Sequence, residues 1–361
     1  MMLPTPNPTV LSIDPYVPGK HGEDSAINRP LKLSANESSL GPAPGAVAAL
    51  KKLSIDAHRY PDGDAKALRD ALSERFEIPS DRIVCGAGSD ELIALTCQAY
   101  LKPGDEILYP EHGFLMYAIS ALASGGVPKT APEKNCRADI GALLDAVTPK
   151  TKIVFLANPN NPTGSYVTRQ ELADLQAGLP SHVLLVVDGA YREYVEQPDY
   201  SSGIELVSAG KQNVLVTGTL SKIFGLGGLR VGWAYGSDHL VDVLNRVRGP
   251  FNVSSAAQVA AVEALNDHEW EEKVRRLNND QIGPLTQRIT ALGLRAYSTV
   301  ANFILIDLGS DTKRIKVDQA LQSKGIFLRQ VSAYGLGTCL RMTIGTEAEN
   351  DRVLEALSVL L

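Results

Sequence analysis

The chain has 361 residues, of which 44% are hydrophobic and 21% charged, with a net charge of -6. This is an ordinary globular balance that argues against a general electrostatic attraction to nucleic acid or anionic membrane. No apolar run is long enough to span a bilayer. The scattered cysteines Cys85, Cys97, Cys136 and Cys339 form no Cys-x-x-Cys pair, which argues against a zinc site or disulfide framework and fits a reducing cytoplasm.

Residues 1–45 are irregular and rich in proline and glycine, and their start lacks the basic-then-apolar pattern of a secretory signal. Ile13-Asp14-Pro15-Tyr16-Val17-Pro18-Gly19 mixes apolar with specific polar residues, so this arm is expected to drape over the body, across a partner subunit. Regular structure begins with a short helix over 46–52. After the turn Tyr60-Pro61-Asp62-Gly63-Asp64, an amphipathic helix follows over 65–76. Strands at 82–85, 106–109, 152–156 and 183–187 then alternate with helices at 90–100 and 115–123. A further helix is opened by the capping box Thr168-Arg169-Gln170-Glu171. This alternation, with continuous apolar strands, predicts an α/β domain whose mostly parallel sheet is covered on both faces. After Tyr235 the pattern changes to helices over 237–248, 254–266 and 268–292. Strands at 303–307, 326–329 and 340–344 and helices near 312–323 and 347–359 then predict a smaller α+β domain. The expected division is an arm over 1–45 that joins the small domain, a large domain over 46–275 and a small domain over 276–361.

Lys222 lies among small hydroxylated residues and glycines, in a stretch running from Thr217 to Arg230 between two apolar runs. Lysine is seldom fully buried without a partner. Desolvation lowers the pKa of a buried amine and leaves it nucleophilic, suited to a Schiff base. Read alone, the stretch is equally a surface loop; the hydroxyls of Thr219 and Ser221 and the guanidinium of Arg230 point instead to a phosphate beside the lysine. Gly86-Ala87-Gly88-Ser89-Asp90-Glu91 reads either as a phosphate site at a helix N-terminus or as a plain turn with Ser89 as N-cap. Glu91 replaces the last glycine of a dinucleotide fingerprint, which weakens that third reading. Asn158-Pro159-Asn160-Asn161-Pro162-Thr163-Gly164 follows a buried strand, at the edge where open α/β sheets bind ligands. There Asn161 can donate to a phenolate oxygen, or the stretch is an asparagine-proline turn. Asp188 ends the most apolar strand and needs a partner to stay ionised; a protonated pyridine nitrogen would serve, and a helix N-cap role is the alternative. Tyr191, a few residues on, can reach the oxygen of such a ring.

In order and spacing these elements resemble the fold-type I aminotransferases, which use pyridoxal 5'-phosphate, and the resemblance covers nearly the whole chain. Pro15-Tyr16-Val17-Pro18-Gly19, Asn36-Glu37, Tyr60-Pro61-Asp62, Gly88-Ser89-Asp90-Glu91, Pro250-Phe251-Asn252-Val253-Ser254 and Leu340-Arg341-Met342-Thr343-Ile344-Gly345-Thr346 are similar to the histidinol-phosphate group of that family. The resemblance implies that Lys222 bonds the cofactor aldehyde and moves the substrate proton, and that Asp188 pairs the pyridine nitrogen. By the same resemblance Tyr191 and Asn161 hold the ring oxygen and Phe114 stacks on the ring. The phosphate falls to the backbone N–H groups of Ser89 and Asp90 with Thr219, Ser221 and Arg230. Tyr60 is expected to reach it from the other subunit of a homodimer. Tyr16, Asn36, Arg329 and Arg341 are the substrate candidates. Three places depart from the family's habit. Gly218 stands where many relatives carry a charged or larger residue, Ala87 replaces a frequent asparagine, and His112-Gly113 replaces a frequent Pro-Thr.

The implied activity is transamination between L-histidinol phosphate and 2-oxoglutarate in histidine biosynthesis, by ping-pong half-reactions in a cytoplasmic enzyme without metal, nucleic-acid or membrane partners. An aromatic amino-acid aminotransferase, or both activities in one enzyme, is the first alternative. A phospho-amino-acid decarboxylase is another. A non-catalytic cofactor-binding regulator would need a DNA-binding module, for which the residues before 46 leave no length.

Overall fold

The computed structural model describes residues 5–18, 30–53 and 58–361; Gly19 of the expected arm motif lies outside them. In chain order β1 (Leu31–Leu33) comes first, then α1 (Pro44–Leu53) and α2 (Lys66–Phe76). Next come β2 (Ile83–Gly86), α3 (Ser89–Tyr100), β3 (Glu106–Pro110), α4 (Leu115–Ala123) and β4 (Val127–Ala131). A hairpin of β5 (Glu133–Lys134) and β6 (Arg137–Ala138) leads through α5 (Ile140–Asp145) to β7 (Thr151–Ala157), α6 (Arg169–Gly178) and β8 (Leu184–Asp188). α7 (Ile204–Ser208), β9 (Val214–Thr219), β10 (Gly232–Tyr235), α8 (Asp238–Val247) and α9 (Ser255–Asn266) follow. The long α10 (His268–Ala291) then leads to β11 (Arg295–Ala296), β12 (Phe303–Asp307), α11 (Asp311–Ser323), β13 (Ile326–Gln330), β14 (Cys339–Thr343) and α12 (Glu347–Leu360).

Among the described residues the larger sheet has seven strands in the order β2-β10-β9-β8-β7-β3-β4. From β9 to β4 all neighbours are parallel. β10 is antiparallel to both β9 and β2, because a loop rather than a crossover helix returns the chain from β9. Alternate residues of the central strands enter two cores. Ile153 and Phe155 of β7 pack with α3, α4 and α8 on one face, and Val154 and Leu156 with α2, α6 and α9 on the other. That two-sided burial is why these strands read as unbroken apolar runs. β4 carries no such signal: it is an edge strand, largely exposed, with Pro128 and Lys129 in it.

The smaller sheet has the order β1-β13-β14-β12-β11. β1, from the N-terminal arm, adds to it in parallel with β13, and the other pairs are antiparallel. Its apolar face packs against α10, α11 and α12 through Leu285, Ile289, Leu321 and Val353. α10 crosses residue 275, the expected domain boundary, without a break; its Val274 belongs to the large core and its Leu285 to the small one. The capping box expected at Thr168 is formed, and Thr346-Glu347-Ala348-Glu349, whose sequence has the same pattern, forms a second at the start of α12.

Candidate active site

β7 and β8 end level, with Ala157 beside Asp188, and β9, whose Thr217 lies beside Asp188, runs two residues further to Thr219. At these carboxyl ends lies a cavity of about 320 Å³, in the position where open α/β sheets bind ligands. Lys222 enters it from the β9–β10 loop. Its amine donates to the Ala35 carbonyl at 3.4 Å and stands 5.6 Å from the centre of the Tyr191 ring. Burial first, and then the positive charge of Arg341, bring its pKa down to about 8, with Asp90 opposing. Near neutral pH a usable fraction of this amine is therefore unprotonated.

Asp188 closes the cavity from the end of β8 and is 4% exposed. Its carboxylate accepts from the Tyr117 hydroxyl at 2.8 Å and the Thr217 hydroxyl at 3.3 Å, both neutral donors. Burial raises its pKa, and the bond from Tyr117 holds it back. Asp188 is the last residue of a strand and caps no helix, which removes the N-cap alternative.

A cluster of donors forms the opposite end. Gly88, at φ +88°, makes the turn into α3 and occupies the N-cap position. Ser89 is therefore the first residue of the helix, and the reading of Ser89 as N-cap is corrected; only glycine takes this turn without strain. A Cβ on Gly232 of β10 would lie 2.3 Å from the Ser89 nitrogen, so a glycine there lets the strand and the helix end come together. The first N–H groups of α3 have no partner within the helix. Beside them Arg230 lies 3.1 Å from the Asp90 carboxylate and 3.4 Å from the Ser221 hydroxyl, and Thr219 bonds Ser221 at 3.0 Å. Helix dipole, guanidinium and hydroxyls together suit a dianion.

The remaining wall comes from the smaller sheet and the arm. Arg329 and Arg341 face each other across β13 and β14. Arg341 is buried; it donates to the Asn161 side-chain oxygen and, at 2.9 Å, to the Ser34 carbonyl. Its Nε has no partner among the described residues. Arg329 donates to the Val17 carbonyl at 2.9 Å and to the Tyr16 hydroxyl at 3.4 Å. Asn36, buried at φ +55°, donates to the Tyr191 hydroxyl at 2.9 Å and is itself held by Thr343 and Asn302. Phe114, at the start of α4, lines the same cavity. Tyr60 does not: it is 83% exposed and stacks on Phe251 with ring centres 4.8 Å apart.

The sequence profile described as "Aminotransferase class I and II" matches residues 28–357. The chain belongs to the class I and II aminotransferases. The histidinol-phosphate aminotransferase of Paramagnetospirillum magneticum is 51% identical to it, over 99% of this chain and 98% of the relative. The enzyme of that name from Rhodospirillum centenum is 49% identical over 98% of each chain. The crystal structure of histidinol-phosphate aminotransferase from Sinorhizobium meliloti in complex with pyridoxal-5'-phosphate superposes with a TM-score of 0.91. It is 27% identical, over 97% of this chain and 96% of that one. The fold of this aminotransferase is thus fold type I.

Its cofactor is pyridoxal 5'-phosphate, and the residues present fit that group. A buried carboxylate without a cation suits a ring nitrogen that carries a proton. A low-pKa amine without a carboxylate partner suits an aldehyde, and the donor cluster at α3 suits a phosphate. Asn161 and Tyr191 stand between these ends with hydroxyl and amide donors for a ring oxygen. Among the described residues no cluster of His, Cys, Asp and Glu could hold a metal ion.

Sequence reasoning missed several residues that line this aminotransferase cavity or hold Asp188 from behind it. Tyr117 lies in the same stretch as Phe114, and a tyrosine inside an apolar helix needs a hydroxyl partner, which was the available signal. Thr217, the carbonyls of Ser34 and Ala35, and Tyr334 carried no signal, because their neighbours are set by packing between distant segments.

Proposed function

We propose that this aminotransferase exchanges an amino group between histidinol phosphate and 2-oxoglutarate. The observation that carries the reading is a low-pKa lysine facing two cross-strand arginines in one cavity. The name carried by the similar proteins supports the choice of phosphate ester. When bound, pyridoxal 5'-phosphate supplies an aldehyde that captures amines and a ring that takes up the electron pair left at a substrate carbon.

The chain's own residues do the rest. Lys222 would hold the cofactor's aldehyde, and its Nζ is the group placed to move the proton at the substrate Cα. Asp188 would keep a proton on the ring nitrogen, and Tyr117 and Thr217 hold its carboxylate in place. Asn161 and Tyr191 would hold the ring oxygen, and Phe114, which lines the same cavity, would pack against the ring. Ser89 and Asp90 through their N–H groups, with Thr219, Ser221 and Arg230, anchor the phosphate. Arg329, Arg341, Tyr16 and Asn36 receive the substrate, the arginines taking a phosphate in one half-reaction and a carboxylate in the other. Exposed Tyr60, stacked away from its own cavity, serves the cavity of a second copy, so the working unit is a homodimer. Among the described residues no helix is long and apolar enough to cross a membrane. We place the enzyme in the cytoplasm, in histidine biosynthesis.

Steady-state turnover with 2-oxoglutarate tests this. Histidinol phosphate is expected to exceed phenylalanine in kcat/KM by at least about 10²-fold, because phenylalanine offers the two arginines a singly charged carboxylate in place of a doubly charged phosphate. Equal values would replace the reading by an aromatic aminotransferase.

A further inference from the structure

Tyr334 ends the 3₁₀ turn Ser332–Tyr334 that joins β13 to β14, the strands carrying Arg329 and Arg341. It is 5% exposed, and it lines the same cavity as the two arginines. No residue among those described bonds its hydroxyl, although a buried tyrosine usually finds a partner. Burial pushes that hydroxyl up to about 12, with Arg341 opposing, so it remains a neutral donor at working pH.

The backbone of Tyr334 is tied to the other sheet. His112, in the β3–α4 loop, places Nδ1 2.7 Å from the Tyr334 carbonyl. A carbonyl only accepts, so Nδ1 carries the proton. The loop is braced in turn: the His112 N–H donates to Glu133 at 3.2 Å, and its carbonyl accepts from Asn160 at 3.2 Å. Gly335, at φ +78°, brings the turn against the imidazole, where a Cβ would lie 3.5 Å from the ring. His112 occupies the place of a frequent proline, which has no side-chain donor, so this bond between the two sheets comes with the departure noted in the sequence.

We propose that Tyr334 is a further substrate-binding residue, donating to the anionic group held by Arg329 and Arg341, and that His112 positions it from the large sheet. The inference rests on the proposed reading that those arginines take a substrate anion.

The test uses the holoenzyme and the variants Tyr334→Phe, His112→Ala, His112→Gln and the Tyr334→Phe/His112→Ala double. Tyr334→Phe is expected to raise KM for histidinol phosphate about 5- to 10-fold, with a smaller change in kcat. Inorganic phosphate, titrated calorimetrically into the holoenzyme, should weaken by a similar factor. His112→Ala should mimic this, and His112→Gln, whose amide can donate to the same carbonyl, should recover most of it. The double variant should be no worse than about the larger single effect. Wild-type KM and phosphate affinity in Tyr334→Phe would overturn the role of Tyr334. Additive effects, or a kcat loss in His112→Ala that glutamine does not rescue, would overturn the role of His112. If the wild-type enzyme itself fails to turn over histidinol phosphate, the parent reading fails; if only the variants match wild type, this inference alone fails.

Discussion

Lys222 and Arg341 meet across one cavity, but the two halves of its wall are built differently. The half around Lys222 stands on the ends of β7, β8 and β9 and the start of α3, with their register set by continuous ladders. The half around Arg341 joins β13 and β14 to an arm from the other end of the chain, through bonds such as Arg341 to Ser34 and Arg329 to Val17. Contacts that cross between them include Asn36 to Tyr191, Arg341 to Asn161, Lys222 to Ala35 and His112 to Tyr334. The first half is tied together by ladder hydrogen bonds and suits holding a cofactor in fixed alignment. The second is assembled from distant segments, where recognition can change without disturbing the chemistry.

If that division is right, substitutions in the two halves should fail in different ways. The largest effect belongs to Lys222→Ala, which on the proposed reading removes both the covalent anchor and the proton carrier; kcat should fall by about 10⁴-fold or more, measured as steady-state turnover. Wild-type turnover in that variant would break the comparison at its first term. Asp188→Asn and Arg341→Ala sharpen it. Asp188→Asn should lower kcat about 10²-fold with little change in KM, since its charge matters to the reacting ring. Arg341→Ala should act mainly on KM, by roughly 10- to 100-fold for either anionic substrate. Interchanged signatures would show that the halves do not divide the labour.

The smallest effect concerns the cofactor-free protein. The Lys222 pKa of about 8 lies below its ordinary value of 10.5, so between those pH values the unfolded chain binds more protons than the folded one. Unfolding free energy should therefore rise across that window, by roughly 2–3 kcal/mol, and Lys222→Met should flatten the rise. Denaturant titrations at pH 7.5 and about pH 10 would measure it.

Much of the large-sheet half was legible because its residues follow apolar strands in the chain. Asp188 and Asn161 each come just after such a run, and Lys222 follows β9 within a few residues. Their neighbourhood is then a consequence of strand order, which alternation of strand and helix already implies. Arg329 and Arg341 were singled out only through family resemblance; as isolated strand arginines they have no local mark. Tyr117 and Thr217, which hold Asp188, and Tyr334, which joins the arginines, lay outside the reading. β4 was hidden for a related reason: an exposed edge strand has no apolar face to betray it.

The sequence by itself determined the α/β alternation, the capping boxes at Thr168 and Thr346, and the order in which lysine, aspartate and glycine-rich turn arrive at the sheet's carboxyl edge, since these depend on local periodicity and on residues close in the chain. Only the tertiary structure decided that Ser34 and Asn36 would stand beside Arg341 and Tyr191, that Asp188 would lean on Tyr117, and that His112 would reach Tyr334. Side-chain direction and long-range partners are settled by packing, which buries each polar group against whichever donor or acceptor the fold brings within reach.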